Sequence, residues 1–523
     1  MKRLIFSAVL LASMTAMAQE TYTNAELFTE DLNGTARYVG MGGAMEALGA
    51  DMSTINTNPA GVGLFRRSAA NFSVGVVSQQ DAGQSSVGDA TRLSFDQVGF
   101  VWCTNPSRWN TFNIAFNYKK NRNFSNILNV AGSLDGQSSQ NANSYMNLMD
   151  AYSADPDGDW LNSYKLSQLD AMYYKTFVGD QDENMYYNSA TGYGMTRTTK
   201  GYVGEYGVNV SGNVSNRVYL GMTIGFCDVN YRSWTSYSES LINGDGDAIG
   251  DITVNDQREI TGTGFNVKLG TVIFPVEENP FRIGLYVSTP TWYDLRSYSN
   301  TYLTNNANTG GTPKDPSFES KGDYEYRVYT PWKFGLALGH TVSNYLALGA
   351  TYEFSDYSNM SNRVIDGYDY YGDATSYKDA DMNDHTQKTL KGVSTLKVGA
   401  EVKPTPEFAV RLGYNYVSPM YRTEAFRDGT ISSPGTYYSS TTDYTNWKAT
   451  NRITCGLGYS KGSFAVDLAY QYSATDGEFH PFTNSNATYT WDDGTEVSVN
   501  NHADGVNVSN KRHQVLATFT YKF

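Results

Sequence analysis

Long apolar runs are missing from this sequence. Once residues 1–18 are set aside, no stretch approaches the roughly 20 apolar residues that a membrane-spanning helix requires. Positive charge is also scarce, and the net charge of −14 disfavours a nucleic-acid partner. The three cysteines, Cys103, Cys227 and Cys455, lie far apart, and an odd number without short spacing predicts no disulfide framework. These absences leave a soluble protein or a membrane barrel built from strands.

Local patterns of catalytic or metal-binding residues are missing as well. The sequence contains neither a GxSxG elbow nor a phosphate loop, and its histidines show no metal-ligand spacing. The five histidines are His340, His385, His480, His502 and His513. Two acidic runs, Asp155/Asp157/Asp159 and Asp245-Gly246-Asp247 with Asp251, lack the glutamate that completes an EF-hand-type calcium loop. We therefore predict no enzyme activity, no metal site and no cofactor, although calcium at a loop stays open.

The first residues have the features of a secretory signal peptide. Lys2 and Arg3 provide a positive start, and the run from Leu4 to Leu11 is apolar but too short to span a bilayer. Ala16-Met17-Ala18 then places small residues where a signal peptidase reads. Residues 1–18 are therefore predicted to be a signal peptide, which makes the mature chain an exported protein.

Aromatic residues and glycine are abundant. The chain has 41 Tyr, 24 Phe, 8 Trp and 49 Gly. Tyrosine suits both β-strands and the aromatic girdles at membrane interfaces. The mean hydropathy of −0.46 does not exclude a membrane barrel, because every second strand residue of such a barrel faces a wet lumen.

Strand periodicity supports the barrel. From His513 to Phe523, apolar residues and polar or small residues alternate with a period of two, with one lapse at Leu516. Similar alternation recurs at 464–472, 452–459 and 408–416. On the polar faces of these strands, Asp467 and Arg411 fit a lumen and would be costly against lipid.

About fourteen such strands occur, an even number as bacterial barrels require. They lie near 69–78, 91–103, 110–119, 202–213, 216–228, 258–274, 280–289, 326–340, 344–355, 390–403, 406–418, 446–460, 463–473 and 510–523. Short connections such as Val214-Ser215, Val342-Ser343, Pro404-Thr405 and Lys461-Gly462 alternate with long ones. This alternation of short and long connections predicts an all-β fold. The expected structure is a transmembrane antiparallel β-barrel over 69–523, embedded in outer-membrane lipid with both termini periplasmic.

Two segments lie outside the predicted strands. Residues 19–68 are rich in Gly and Ala and are long enough to fold into the lumen as a hatch, or plug. The longest loop, 119–201, has helical spacing at Tyr145 to Met149 and Leu161 to Phe177, and structured loops of this length are commonly functional.

Small residues also line the presumed lumen faces of several strands. They are Gly335, Ala337, Gly339, Ala347, Gly349, Gly456, Gly458, Ala465 and Ala469. Two explanations stay open: these residues leave room for a plug and an apolar path, or the glycines relieve strand curvature.

The segment from Asp51 to Gly61, with its Asn58-Pro59-Ala60 sequence just before the first strand, resembles the hatch of the FadL/TodX family of long-chain fatty-acid and hydrocarbon transporters. Strand-pair patterns at 331–360, 396–414 and 458–470 resemble the same family. The resemblance implies a fourteen-stranded barrel closed by a hatch, outer capture of a hydrophobic ligand and release through a lateral gap in the wall. Separately, the terminal strand ends in an aromatic residue, Phe523, and so resembles the signal that the outer-membrane barrel assembly machinery reads, which implies this machinery as a partner.

Asn58, Pro59, Ala60 and Gly61 are the candidate hatch and gating residues. Asn58 can cap a short helix and Pro59 suits its first position, so the pair would form a tight bend. Gly61 and Gly63 allow close backbone approach or a positive φ. By local chemistry alone the same residues also fit an ordinary turn.

The leading functional hypothesis is passive import of hydrophobic small molecules, such as long-chain fatty acids, through a hatch-gated barrel. A general porin for small solutes and a surface adhesion or structural protein are the alternatives, with haem uptake a further one. The substrate-binding residues stay unknown at this stage.

Overall fold

Backbone hydrogen bonds join the long strands of this chain into one large sheet, and their side chains alternate between its two faces. The computed structural model describes residues 19–83, 85–104, 110–154, 166–176, 186–276, 279–308, 317–427, 431–490 and 494–523. The predicted signal peptide, 1–18, lies outside the described residues, as does the acidic run from Asp155 to Asp159.

Within the described residues the chain forms 21 strands. They are β1 Ala69–Gln79, β2 Thr91–Thr104, β3 Phe112–Asn123, β4 Asn126–Ser138, β5 Ser189–Val214, β6 Val218–Ile242, β7 Ala248–Ile273, β8 Arg282–Ser288, β9 Trp292–Asn305, β10 Ser317–Tyr329, β11 Lys333–Val342, β12 Leu346–Asp356, β13 Ser361–Tyr368, β14 Ala374–Lys378, β15 Gly392–Val402, β16 Phe408–Val417, β17 Tyr444–Lys461, β18 Phe464–His480, β19 Ser485–Thr490, β20 Glu496–Asn501 and β21 Val506–Lys522.

Fourteen of the described strands close into an antiparallel barrel, as the sequence predicts. Their order around the wall is β1, β2, β3, β5, β6, β7, β8, β11, β12, β15, β16, β17, β18 and β21. The barrel is closed because β1 pairs with both β2 and β21. Tight turns such as the one between β5 and β6 join the strands at one end, and the long loops lie at the other, outer end.

The outer face of the barrel is apolar. Val515, Phe519 and Tyr521 on β21 are exposed, whereas Gln514 and Thr518, which alternate with them, are buried inside. Exposed apolar side chains on almost every strand form a surface far larger than a soluble monomer tolerates, so this face contacts the hydrocarbon of a bilayer.

Two aromatic belts border this apolar band. Near the tight turns, Phe408 contacts Tyr459 with ring centres 5.0 Å apart, and Phe464 contacts Tyr521 at 5.0 Å. Nearer the outer end, neighbouring strands each contribute an aromatic ring to a second belt, which comprises Phe95, Tyr118, Tyr206, Phe226, Phe265 and Trp292. Aromatic rings prefer the headgroup level of a membrane, so the belts mark its two interfaces.

Several strands extend outward beyond the second aromatic belt. β9 and β10 continue the wall above β8 and β11, and the breaks between them fall at Pro290 and Pro331, which cannot donate to the ladder. The predicted loop 119–201 is partly strand, because β3 reaches Asn123 and β5 begins at Ser189. These extensions pair with one another, so their backbone polar groups are satisfied outside the membrane.

Helices lie in the lumen and at the outer end. The described α-helices are α1 Gln19–Leu27, α2 Ala36–Gly40, α3 Gln140–Ala154, α4 Gln168–Thr176, α5 Ala380–Thr389 and α6 Pro434–Tyr437, with 3₁₀-helices at Met52–Asn56, Pro59–Leu64 and Tyr357–Asn359. The helical spacing predicted at Tyr145 to Met149 is confirmed by α3, and that predicted at Leu161 to Phe177 is confirmed over α4, whereas 161–165 and Phe177 lie outside the described residues. Tyr145 and Tyr173 of these helices are buried in an outer apolar cluster. None of the described helices is both long and apolar enough to cross a bilayer.

Candidate functional site in the barrel lumen

Residues 19–64 run through the barrel from its outer end to its tight-turn end. At the outer end, Tyr22 stacks on Tyr421 with ring centres 5.1 Å apart, and Asn24 donates to Asn362 at 2.7 Å. At the opposite end, the Asn113 side chain of β3 donates to the main-chain oxygen of Val62 at 2.8 Å. We call residues 19–64 the N-terminal segment.

Short polar side chains shape the bends of this segment. Thr35 caps α2 by accepting a hydrogen bond from the Tyr38 amide at 3.0 Å. Asp51 caps the 3₁₀-helix Met52–Asn56 by accepting from the Ser53 amide at 2.9 Å. The Thr35 hydroxyl also donates to the Asp51 carboxylate at 2.8 Å, so the two caps support each other inside the lumen.

Asn58 lies where the sequence predicts a cap. Its Oδ1 accepts from the Ala60 amide at 3.2 Å, and Pro59 occupies the first turn of the 3₁₀-helix Pro59–Leu64. Its Nδ2 donates to the main-chain oxygens of Glu46, at 2.9 Å, and Thr271 of the wall, at 3.2 Å. Asn58 therefore joins the cap, a neighbouring turn of the segment and the barrel.

The rest of the predicted hatch motif is buried with it. The Gly61 amide donates to the Asn58 oxygen at 3.0 Å, and the Gly61 oxygen accepts from the Ala50 amide at 2.9 Å. A Cβ on Gly61 would lie 2.7 Å from Thr54 Oγ1. Close approach, rather than a positive φ, is therefore what requires glycine at this position.

Glycines of the wall make room for the segment's backbone. A Cβ built on Gly349, Gly399 or Gly413 would meet main-chain atoms of Ala44, Met41 or Gly42 closer than 3.0 Å. Gly335 and Gly458 instead face side chains of the wall itself. Of the predicted small lumen residues, Gly349 thus accommodates the segment, whereas Gly335 and Gly458 accommodate large neighbouring side chains.

Ion pairs hold the segment to the wall. Arg37 contacts Glu401, and Glu401 in turn accepts from Arg411 at 2.6 Å. Arg411 also contacts Asp467 at 2.7 Å, so the two charges that the sequence places in the lumen pair with each other there. A second group joins Glu46 of the segment to Lys397 at 3.0 Å.

A cavity of about 180 Å³ lies between the outer half of the segment and the wall. Its lining includes seven basic side chains, Lys119, Arg122, Lys333, Lys397, Lys448, Arg452 and Arg512, and four acidic ones, Glu26, Glu30, Asp31 and Glu353. A chain with a net charge of −14 therefore encloses a luminal cavity with an excess of positive charge.

Part of the positive excess arises because one acidic side chain serves several arginines. Asp31 is the acidic partner of three arginines, with oxygen–nitrogen distances of 3.0 Å to Arg122, 3.7 Å to Arg512 and 3.9 Å to Arg452. Lys119 is only 5% exposed, and no hydrogen bond or ion pair links its ammonium to another described residue, although it lies 6.0 Å from the centre of the Tyr38 ring. A buried ammonium without an anionic partner is costly, so this cavity is suited to an anionic group.

The same cavity has an apolar side. Phe124, Val393, Val417, Met420, Tyr421 and Trp447 line it. Charged and apolar surfaces thus enclose one space, as an amphiphile requires. The sequence alone does not reveal these residues, because they come from five separate strands and loops and no local spacing joins them.

The ladder between β2 and β3 is incomplete. Paired residues run from Gln97–Lys119 to Thr104–Phe112, although β2 begins at Thr91 and β3 ends at Asn123. Among the described residues no backbone pair joins the remaining parts of the two strands. Asn33 of the N-terminal segment lies at this seam, donating to Asp96 at 2.9 Å and to the Lys120 oxygen at 3.1 Å.

The fold resembles solved transporter and channel structures. A crystal structure of a Pseudomonas aeruginosa FadL homologue aligns over 94% of this chain and 99% of its own, with 13% identity and a TM-score of 0.50. The CymD monoaromatic hydrocarbon channel aligns over 95% and 99% (10% identity, TM-score 0.48), and the P. putida toluene transporter TodX over 94% and 99% (12% identity, TM-score 0.47). No family model and no curated protein matches the sequence.

A closed barrel with an apolar outer face, two aromatic belts and long loops at one end is a transmembrane β-barrel of the outer-membrane class. Within that class, the chain has the fold of the Pseudomonas aeruginosa FadL homologue. The resemblance predicted from the sequence is thereby confirmed for the fold.

Proposed function

We propose that this protein passively imports hydrophobic small molecules that carry an anionic head, such as long-chain fatty acids. The observation that carries the proposal is the amphipathic luminal cavity. Lys119, which has no acidic partner among the described residues, lies on its charged side, and Val393, Met420 and Tyr421 lie on its apolar side. A neutral hydrocarbon would leave the Lys119 charge uncompensated, whereas a carboxylate would pair with it.

The N-terminal segment acts as the hatch in this proposal. It occupies the lumen, so a ligand passes only when part of the segment moves or when a path opens beside it. Asn58, Pro59, Ala60 and Gly61 anchor its tight-turn end, because Asn58 donates to Thr271 of the wall and to Glu46 of a neighbouring turn of the segment. We infer that this anchor limits leakage of small polar solutes, which separates the importer from a general porin.

The seam between β2 and β3 is the proposed exit. The missing backbone pairs leave side chains, such as Lys120 donating to Ser94 at 2.7 Å, to join the two strands there. The seam lies at the level of Phe95 and Tyr118, in the belt that marks the outer membrane interface. Side chains can rearrange without breaking a ladder, so a ligand can leave sideways at this interface at lower cost than through a paired wall.

Uptake into vesicles containing the mature chain tests the proposal. Labelled palmitate, toluene and glucose would be compared in the wild type, Lys119→Gln and the control Lys388→Gln, whose exposed lysine pairs with Asp384 outside the lumen. We expect palmitate uptake by the wild type, with a half-saturation concentration raised about tenfold or more by Lys119→Gln because a charge-assisted contact is lost. Equal glucose and palmitate fluxes would instead identify a porin. An unchanged half-saturation concentration in Lys119→Gln would show that Lys119 does not bind the ligand.

A further inference from the structure

A second, smaller chamber lies above the luminal cavity. Its volume is about 90 Å³, and it is enclosed by Tyr22 of α1, the outer parts of the β5 to β7 wall and the loop that carries α6. It shares Tyr421 and Trp447 with the cavity below, so the two spaces adjoin. Three arginines, Arg197, Arg258 and Arg427, line it.

Two of these arginines have acidic partners. Arg197 contacts Asp443 at 2.7 Å, and Arg258 lies 4.0 Å from Asp256. Arg427 differs from both. It is 2% exposed, and none of the ion pairs among the described residues includes it.

The hydrogen bonds of Arg427 go to neutral groups. Its Nη1 donates to the main-chain oxygen of Asp443 at 2.7 Å, and its Nη2 donates to Ser439 Oγ at 2.9 Å. Its Nε is buried and has no hydrogen-bond partner among the described residues. The Asp443 carboxylate therefore hydrogen-bonds with Arg197, whereas Arg427 contacts Asp443 only through a hydrogen bond to its main-chain oxygen.

An unneutralised guanidinium inside a protein is costly, and such charges are normally paired or bind an ion. Burial lowers the pKa of Arg427 to about 9, which expresses the same cost. Glu26 also lines the chamber, but burial raises the pKa of its carboxyl, so its negative charge is disfavoured there. Among the described residues, Arg427 is thus an arginine of the chamber that no carboxylate contacts.

We propose that this outer chamber is an oxyanion-binding site in which Arg427 is the principal ligand. A guanidinium presents parallel N–H groups that match the oxygens of a carboxylate, sulfate or phosphate. Arg258 and Arg197 add positive potential, and the rings of Tyr22 and Tyr444 can cover a short apolar substituent. The anion is either a free inorganic oxyanion or the head of an amphiphile on its way inward.

The site does not depend on transport, so it is tested by binding to the detergent-solubilised full chain. Isothermal titration with sodium sulfate and with sodium hexanoate, in a buffer free of other oxyanions, would be run on the wild type and on Arg427→Gln, Arg427→Lys and Arg258→Gln. Arg422→Gln is the matched control, because Arg422 is an exposed arginine near the same loop that also donates to main-chain oxygens but lies outside the chamber.

We expect binding by the wild type and by Arg422→Gln, a loss of about tenfold or more in Arg427→Gln and a smaller loss in Arg427→Lys, which retains the charge. Tighter binding of hexanoate than of sulfate would identify an amphiphile head, and the reverse order a free anion. The heat-dependent shift of a folded barrel on an SDS gel shows whether each variant is folded.

Should Arg427→Gln not fold, Arg258→Gln is expected to weaken binding several-fold and keeps the test decisive. Absence of binding in the wild type, or unchanged affinity in a folded Arg427→Gln protein, would overturn the proposal. Neither result would bear on palmitate uptake, so the two proposals fail independently.

Discussion

Arg37 of the N-terminal segment and Glu401 of the barrel wall form a two-pronged contact, with Nε to Oε2 at 3.0 Å and Nη2 to Oε1 at 3.1 Å. Glu401 also accepts from Arg411 at 2.6 Å, so one buried carboxylate neutralises a cation on each partner. The contact makes Glu401 one of the wall side chains that hold the segment in position.

Glu401→Gln is therefore expected to loosen the segment. The change leaves Arg37 and Arg411 without their shared carboxylate, and removing one member of a buried ion pair costs about 3–5 kcal/mol. Amide hydrogen exchange over residues 36–40, followed by mass spectrometry, should accelerate by roughly 10²-fold or more. Glu259→Gln is the control because its pair with Arg232 is exposed on the outer strands, and equal exchange in both variants would contradict the anchoring role of Glu401.

Gly349→Ala is expected to displace the segment from the wall. The added Cβ would collide with the main-chain oxygen of Ala44, and overpacking of this kind costs about 1–3 kcal/mol. Ion conductance in planar bilayers should rise, because the lumen is less completely filled. Gly244→Ala adds the same methyl group where no atom lies within 4 Å, so its conductance should match the wild type. If Gly349→Ala has the conductance of the wild type, the segment adjusts to the added methyl group without opening a path.

Asn58→Asp tests the hydrogen bonds that Asn58 donates separately from the one by which it caps the helix. The aspartate keeps the oxygen that accepts from the Ala60 amide, but it loses the donor to Glu46 and Thr271 and sets an anion against two carbonyl oxygens. The unmade hydrogen bonds should cost about 1–3 kcal/mol, and glucose leakage into vesicles should increase. Asn486→Asp, at an exposed position of the outer hairpin, is the control. Leakage equal to that of the wild type would show that the anchor does not limit flux.

The outer cluster is expected to be less stable at about pH 8 than at about pH 5. Burial raises the pKa of the Glu239 carboxyl from its usual 4.5 to about 7, and this group lies outside the membrane span. As pH rises through that window, the unfolded chain releases the proton while the folded chain retains it. Stability therefore falls, by an amount of the order of a few kcal/mol, and levels off above the folded pKa.

Hydrogen exchange over α3 measures this effect, because Glu239 accepts from the Gln140 amide at 2.6 Å. Glu239→Gln should abolish the pH dependence, and Glu259→Gln should leave it intact. A pH dependence that survives Glu239→Gln would assign the effect to another group.

The barrel was predictable because its signals are local. A period of two places Val515, Phe519 and Tyr521 on one face of a strand whatever the rest of the chain does, and the length of each connection sorts tight turns from long loops. The cap at Asn58 was predictable for the same reason, since Asn before Pro favours a helix start without any distant partner. The gating role of Asn58, Pro59, Ala60 and Gly61 stays a prediction.

The luminal cavity was not predictable in this way. Its charged residues, such as Lys119, Asp31 and Arg452, lie on separate parts of the chain. None of them alone indicates a binding site. The outer ends of the strands were also underestimated. β5, β6 and β7 run on above the membrane, where the outward face meets water and carries polar residues such as Arg232 and Ser236, so the apolar alternation is lost there.

The sequence by itself determined the architecture: export, an even set of antiparallel strands, an apolar outer face and a glycine-rich segment before the first strand. Only the tertiary structure decided which charges meet, and so where an anion can bind. Periodicity follows from bonds along one chain, whereas the electrostatic potential at Lys119 or Arg427 is a sum over residues hundreds of positions apart, which only the closed barrel brings together.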